Sequence, residues 1–211
     1  MEYGLYLVFW YGIVHAISPD HLVAIANFSI GKSKLKTMFI TIFFAFGHGL
    51  TIYLLAIVLS SIDISDYILS WGDTVSGAVI LGLGLYLLYM VKTDQIQLQK
   101  HIHKNKEHIH IWYGKKHSHN NNDTSGALGI GVLMGIGGVR GAIITLGAIS
   151  GGEVGLELVF MFVVGVCVVF LIFGGAMLYI NQNLLKNKRN IKIVLATTGA
   201  VSVAVGAGML I

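Results

Sequence analysis

The stretch "WYGIVHAISPDHLVAIANF", residues 10–28, decides how the rest of the chain is read. It is apolar enough to enter a membrane, yet it holds His15, Ser18, Asp20 and His21, with the chain's only proline, Pro19, among them. On a regular helix, at about 100° per residue, Asp20 stands about 140° and His21 about 240° from His15. Side chains spread that widely cannot meet at one point. Pro19 changes the geometry, because it removes a backbone donor and its ring clashes with the preceding turn. A first span broken at Pro19 lets the polar groups turn inward and exposes backbone carbonyls.

The surrounding chain supplies the membrane setting. Of 211 residues, 55% are hydrophobic and 11% charged, against about a quarter charged in soluble domains. Six apolar runs, residues 3–30, 37–60, 73–92, 126–150, 155–182 and 193–211, approach the roughly 20 residues that a membrane helix needs. The expected fold is all-α and polytopic, with six transmembrane helices forming one domain over residues 1–211. The first run does not read as a secretory signal peptide: Met1-Glu2 gives no positive n-region, five spans follow, and the "AIA" at 24–26 stands inside the apolar run. A single cysteine, Cys167, excludes a disulfide within the chain and reads as packing.

Charge sets an expected orientation. Lys and Arg accumulate in cytoplasmic loops, and thirteen of the fourteen basic residues fall in the connections after the first, third and fifth runs. The other two connections carry Asp63, Asp66 and Asp73, then Glu153 and Glu157, without Lys or Arg. The reading is a multi-pass plasma-membrane protein with both termini outside. The +4 net charge follows from this topology and does not imply nucleic acid, because no soluble basic surface exists to present it. The fourteenth basic residue, Arg140, lies inside the fourth run.

A 3+3 inverted repeat is a further expectation. "SGAVILGLGLYL" at 76–87 and "TGAVSVAVGAGML" at 198–210 share Gly-Ala-Val and a second glycine seven residues after the first, at Gly77/Gly84 and Gly199/Gly206. Gly47 and Gly165 stand in similar surroundings in the second and fifth runs, and Gly12 and Gly135 each open a Gly-Ile pair in the first and fourth. With three spans per half, the second half inserts upside down, an arrangement that puts binding sites at the repeat interface. Chance matches among small apolar residues, and glycine as a packing residue, account for the same pattern.

Ionisable groups at mid-bilayer are expensive and therefore mark function. His15, Asp20 and His21 offer imidazole nitrogens and a carboxylate, a donor set that suits divalent transition metals. The second run adds "FFAFGHGLTI" at 43–52, in which His48 lies between Gly47 and Gly49 at a depth comparable with His15. His48 is accordingly a fourth ligand or a supporting group. The Thr51 hydroxyl is expected to bond its own helix backbone.

These residues resemble a known family. His15-Ala16-Ile17-Ser18-Pro19-Asp20-His21 looks like the H-x4-D-H signature of the nickel–cobalt transporter family, and the Gly-His-Gly around His48 is similar to its Gly-His-Ser motif, with Gly49 in place of serine. The resemblance covers residues 10–52 and is closest to six-span short members, of urease-associated and efflux types. It implies metal selection and passage at His15, Asp20, His21 and His48, with Ni²⁺ or Co²⁺ as transported substrate and no resident cofactor. The fourth run departs from the family: "GIGGVRGAIITLG" at 135–147 has Arg140 where a His or Pro-Cys element is usual. Arg140 could pair with Asp20, gate by repulsion or snorkel.

The expected cytoplasmic loop, residues 93–125, contains "HIHKNKEHIHIWYGKKHSH" at 101–119, with His101/His103, His108/His110 and His117/His119 as His-x-His pairs. Alternate residues of an extended chain point the same way, so each pair can chelate. A solvated basic loop without a metal role is the plainer reading. Such a loop could collect metal for export, buffer arriving metal, regulate the path, or deliver to cytosolic metal-handling proteins. Transport of Ni²⁺/Co²⁺ is thus the leading expectation, its direction open. A membrane-anchored metal sensor or donor is the alternative. An intramembrane metalloenzyme is disfavoured, since H-E-x-x-H is missing and no spare carboxylate remains as base once Asp20 is a ligand.

Overall fold

In the computed structural model, residues 2–59, 66–94, 96–103, 106–113, 122–150, 155–185 and 187–211 are described, with side chains for 3–59, 70–94, 123–139, 141–149, 155–185 and 187–211. The chain forms α1 (Glu2–Ala16), α2 (Pro19–Ser29), α3 (Lys34–Leu59), α4 (Asp66–Lys92), β1 (Ile96–His103), β2 (Lys106–Tyr113), α5 (Asn122–Ser150), α6 (Leu156–Asn183) and α7 (Lys188–Gly208).

The apolar runs become helices whose hydrophobic side chains face outward as well as inward. Trp10, Phe46, Leu54, Phe160, Leu171 and Ile172 are exposed, whereas His21 and His48 are buried. That is the distribution of a membrane protein, where hydrocarbon solvates the outer face and backbone polar groups are satisfied within each helix. Four helices are individually long and apolar enough to cross a bilayer, and α5, bent by 46° at Arg140, makes a fifth if its two parts are one span. At 15 and 11 residues, α1 and α2 are each too short alone.

The break between α1 and α2 follows from the sequence around Pro19. The last backbone bonds of α1 run from Ile17 N–H to Ile13 O and from Ser18 N–H to His15 O. Pro19 then sits in the first turn of α2, where its missing N–H costs nothing. The two pieces have different neighbours: α1 packs chiefly on α6, while α2 is surrounded by α3, α4, α5, α6 and α7. A short helix therefore occupies the middle of the bundle, with its N-terminus at the level of the polar cluster.

Glycines set the closest helix approaches. A Cβ on Gly12 would strike the Phe162 carbonyl of α6, and one on Gly165 the Phe9 carbonyl of α1. The same reciprocal arrangement joins α3 to α5: Gly131 faces the Phe44 carbonyl, and a Cβ on Gly47 would lie 2.7 Å from Leu128 O. Between α4 and α7, Cβ atoms on Gly84 and Gly206 would lie 2.8 Å from the carbonyls of Gly199 and Gly77 respectively.

One end of the bundle is fastened by polar groups. The Asn181 side-chain amide donates to Ser29 O (2.8 Å) and the Thr37 hydroxyl (3.1 Å), and its carbonyl accepts from Gly31 N–H at 2.9 Å. Gly31 turns the chain there with φ 76°, a conformation that favours glycine. Lys32 and Lys36 both pair with Asp123 at the start of α5. Below α2 lies an apolar plug that includes Ile30, Met177, Leu185, Ile191 and Leu195.

The connection between α4 and α5 differs from the plain loop expected in an all-α chain. Its alternation "IQLQKHIH" has the period of a strand, and β1 pairs antiparallel with β2. Asp94 ends α4 with φ 53° and pairs with Lys188 and Lys192, which tie this end to α7. The two ammonium groups hold its carboxyl below the ordinary range.

Candidate metal centre

The helix break brings together residues that a straight span would scatter. His15 ends α1, His21 lies in the first turn of α2, and His48 projects from mid-α3. One ligand-capable atom from each lies within 4.8 Å of the others. Ring centroids are 4.9 Å apart for His15–His21, 4.7 Å for His21–His48 and 5.8 Å for His15–His48. Imidazole nitrogens held tetrahedrally by one ion at about 2.1 Å stand about 3.4 Å apart, so the widest pair would close by about 1 Å on ligation.

Four nitrogens of this cluster, His15 Nε2, His21 Nε2 and both of His48, are buried without a hydrogen-bond partner. A buried unsatisfied polar group costs about 1–3 kcal/mol. A hydrophobic setting makes that cost real: Phe162 packs on His15, Phe170 on His21 and His48, and Phe44 stacks on His48.

Asp20, expected to be a ligand, lies beside the three-histidine group and not within it. Its Oδ1 lies 3.1 Å from His21 Nδ1, and 16% of its side chain is exposed. With Asp20 ionised, this bond keeps the proton on Nδ1 and leaves the lone pair on the buried Nε2. Gly138 of α5 gives the rings their room: a Cβ there would be 3.2 Å from His15 Nε2 and 3.6 Å from His48 Cε1.

A cavity of about 210 Å³ adjoins the cluster, large enough for several waters. His15, Ser18, Asp20 and His21 form one side of it; Asp73 and Ser76 of α4 face them. Met209, just past the end of α7, lines it too, so the cavity lies toward the bundle end opposite the Asn181 and Asp123 contacts. Counting the third run from residue 73 made Asp73 a connection charge. It is instead the eighth residue of α4, and its proximity to Gly72, Ser76 and Gly77, a small-residue face at helical spacing, was the available signal.

Thr51 donates to Gly47 O at 2.7 Å, the helix-satisfying bond expected for it. Cys167 is partly buried beside the core. Of the six loop histidines, register sets His101 opposite His108 and His110 opposite Gln99. Positions 101, 103, 108 and 110 thereby share one face of the ribbon. His117 and His119 lie outside the described residues, as does the side chain of Arg140, with which the expected pairing, gating or snorkelling is concerned.

Comparison with known protein families, with curated proteins and with solved structures finds no match to this chain.

Proposed function

We propose that this protein is a multi-pass carrier of divalent transition-metal ions, Ni²⁺ or Co²⁺, which are bound and released at His15, His21 and His48. The observation that carries the reading is the convergence of His15, His21 and His48, with one ligand-capable atom of each within 4.8 Å of the others and each ring holding a buried, partnerless nitrogen, inside an apolar bundle. An ion would supply a partner to one nitrogen of each ring, and imidazole suits Ni²⁺, Co²⁺ and Zn²⁺ alike. Asp20 orients His21 and adds the negative charge that a dication needs in a low-dielectric setting. The resemblance of residues 15–21 and 47–49 to nickel–cobalt transporter motifs supports the same reading.

In this proposal α1 and α2 are one broken span, giving six, and the halves are an inverted repeat. The glycine contacts support it. Gly12–Phe162 and Gly131–Phe44 are exchanged by pairing residue 12 with 131 and 44 with 162; Phe9–Gly165 and Leu128–Gly47 are exchanged in the same way. Gly77 and Gly84 correspond to Gly199 and Gly206 and contact each other crosswise. The partner of Gly12 is then Gly131, four residues before Gly135. Both first spans also deviate at mid-length, one at residues 17–18 and the other at Arg140. Rocking one half against the other would expose the histidines alternately to the two sides.

The test is ⁶³Ni or ⁵⁷Co flux into proteoliposomes. Flux is expected for the unmodified chain and none above empty vesicles for His15→Ala, with the variant still monodisperse in detergent. Equal flux in the two would reject the site. One observation favours a second reading: the shared histidine face of the hairpin fits a membrane-anchored metal donor. That reading predicts binding without flux.

A further inference from the structure

We infer that Asp73 and Asp20 form a second cation station, an antechamber in which a still-hydrated divalent ion is held before it enters, or after it leaves, the three histidines. This inference rests on the carrier reading and adds a residue to it.

The two carboxylates come from different elements, α2 and α4, yet line one cavity. Ser18 and Ser76 line it as well, so its polar groups are hard oxygen donors, suited to a cation that keeps water. The 210 Å³ of space accommodates an ion with part of its hydration shell, and Phe44, Phe162 and Phe170 pack against the histidine rings. His21 joins the two compartments: it lines the cavity, is only 3% exposed, and has a partnerless Nε2. Two consecutive glycines, Gly137 and Gly138, line this cavity together with His15. A Cβ on Gly137 would lie 2.7 Å from Asp73 Oδ1, and one on Gly138 would lie 3.2 Å from His15 Nε2. Side chains at either position would occupy the short route from carboxylate to imidazole. A dication stripped of water in one step pays the whole desolvation penalty at once; a carboxylate-lined compartment beside the imidazoles divides that step.

The experiment uses Co²⁺, whose visible absorption reports imidazole ligation, and the full chain with His101, His103, His108, His110, His117 and His119 replaced by alanine, so that the remaining three of the nine histidines are His15, His21 and His48. Rapid mixing gives the rate at which the bands develop, and titration gives the affinity. Asp73→Asn is expected to slow loading about tenfold and to flatten its dependence on salt, since a focused charge at a cleft changes on-rates by at least that factor. The band shape should stay that of the parent, because the three imidazole ligands are unchanged. Asp73→Glu should restore most of the rate. Loading of Asp73→Asn at the parent rate would overturn the station, and so would a Glu variant as slow as the Asn variant, which marks a packing role. A parent chain that develops no imidazole bands would overturn the carrier reading itself, a failure seen before Asp73 is touched.

Discussion

At the scale of single residues, the distinction that matters is between the three rings and the carboxylate beside them. Because Asp20 bonds His21 Nδ1 instead of joining the cluster, Asp20→Asn should weaken Ni²⁺ or Co²⁺ binding by about 10–100-fold, as loss of an orienting partner does. His15→Ala and His48→Ala should remove binding at the same site. Titration calorimetry on chains lacking the loop histidines distinguishes the two; an Asp20 variant as inert as the histidine variants would make Asp20 a direct ligand. The sequence made His15, Asp20 and His21 visible as a group because polar residues in an apolar run are costly. It could not assign their roles, which depend on where the Asp20 carboxylate turns once the helix is open. Asp73 stayed hidden for another reason: a charge near the end of a hydrophobic run reads as loop until the helix is seen to extend past it.

At the scale of elements, the break at residues 17–18 and the glycine contacts shape the site together. Gly138→Ala inserts a methyl 3.2 Å from His15 Nε2, so metal binding should fall while the melting temperature stays near that of the unmodified chain. Gly131→Leu, against the Phe44 backbone, should instead lower stability or prevent folding, because no side chain can yield there. Gly82→Ala, with open space around it, is the neutral control. Size-exclusion profiles and thermal melts of the three separate these outcomes; a Gly82 variant as damaged as Gly131→Leu would contradict the packing described. Asn181→Ala strips partners from Ser29 O, Gly31 N–H and Thr37, at about 1–3 kcal/mol for each group left buried, and should lower the melting temperature measurably. Pro19 announced the break, since a proline within a membrane run is disruptive wherever it stands. The separate destinations of α1 and α2 were not legible, because they depend on glycine contacts more than 100 residues away. The alternation in residues 96–113 did carry a strand signal, which reading the segment as a histidine-rich loop passed over.

At the scale of the whole molecule, a polar cavity lies on one side of the cluster, and among the described residues polar contacts and apolar packing lie on the other. Asp20, Asp73 and Ser76 line the cavity, and the Asn181 bonds, the Asp123 ion pairs and the apolar plug lie on the opposite side. In a Cys167→Ala background, Ser76→Cys should react with a water-soluble thiol reagent from one membrane face and be protected by Ni²⁺, whereas Leu195→Cys should not react. Equal labelling of both would mean that the two sides are not differently accessible. Deleting residues 101–119 should alter apparent affinity or regulation and leave transport measurable. Complete loss would put that segment in the path. The central claim is that His15, His21 and His48 together hold one divalent ion. X-ray absorption on protein loaded with one equivalent of Ni²⁺ tests it most directly, using the chain with all six loop histidines replaced by alanine. The account predicts a nickel shell with imidazole scattering that disappears when His15, His21 and His48 are also replaced. A spectrum without imidazole scattering in the first of these proteins, or one unchanged in the second, would contradict it.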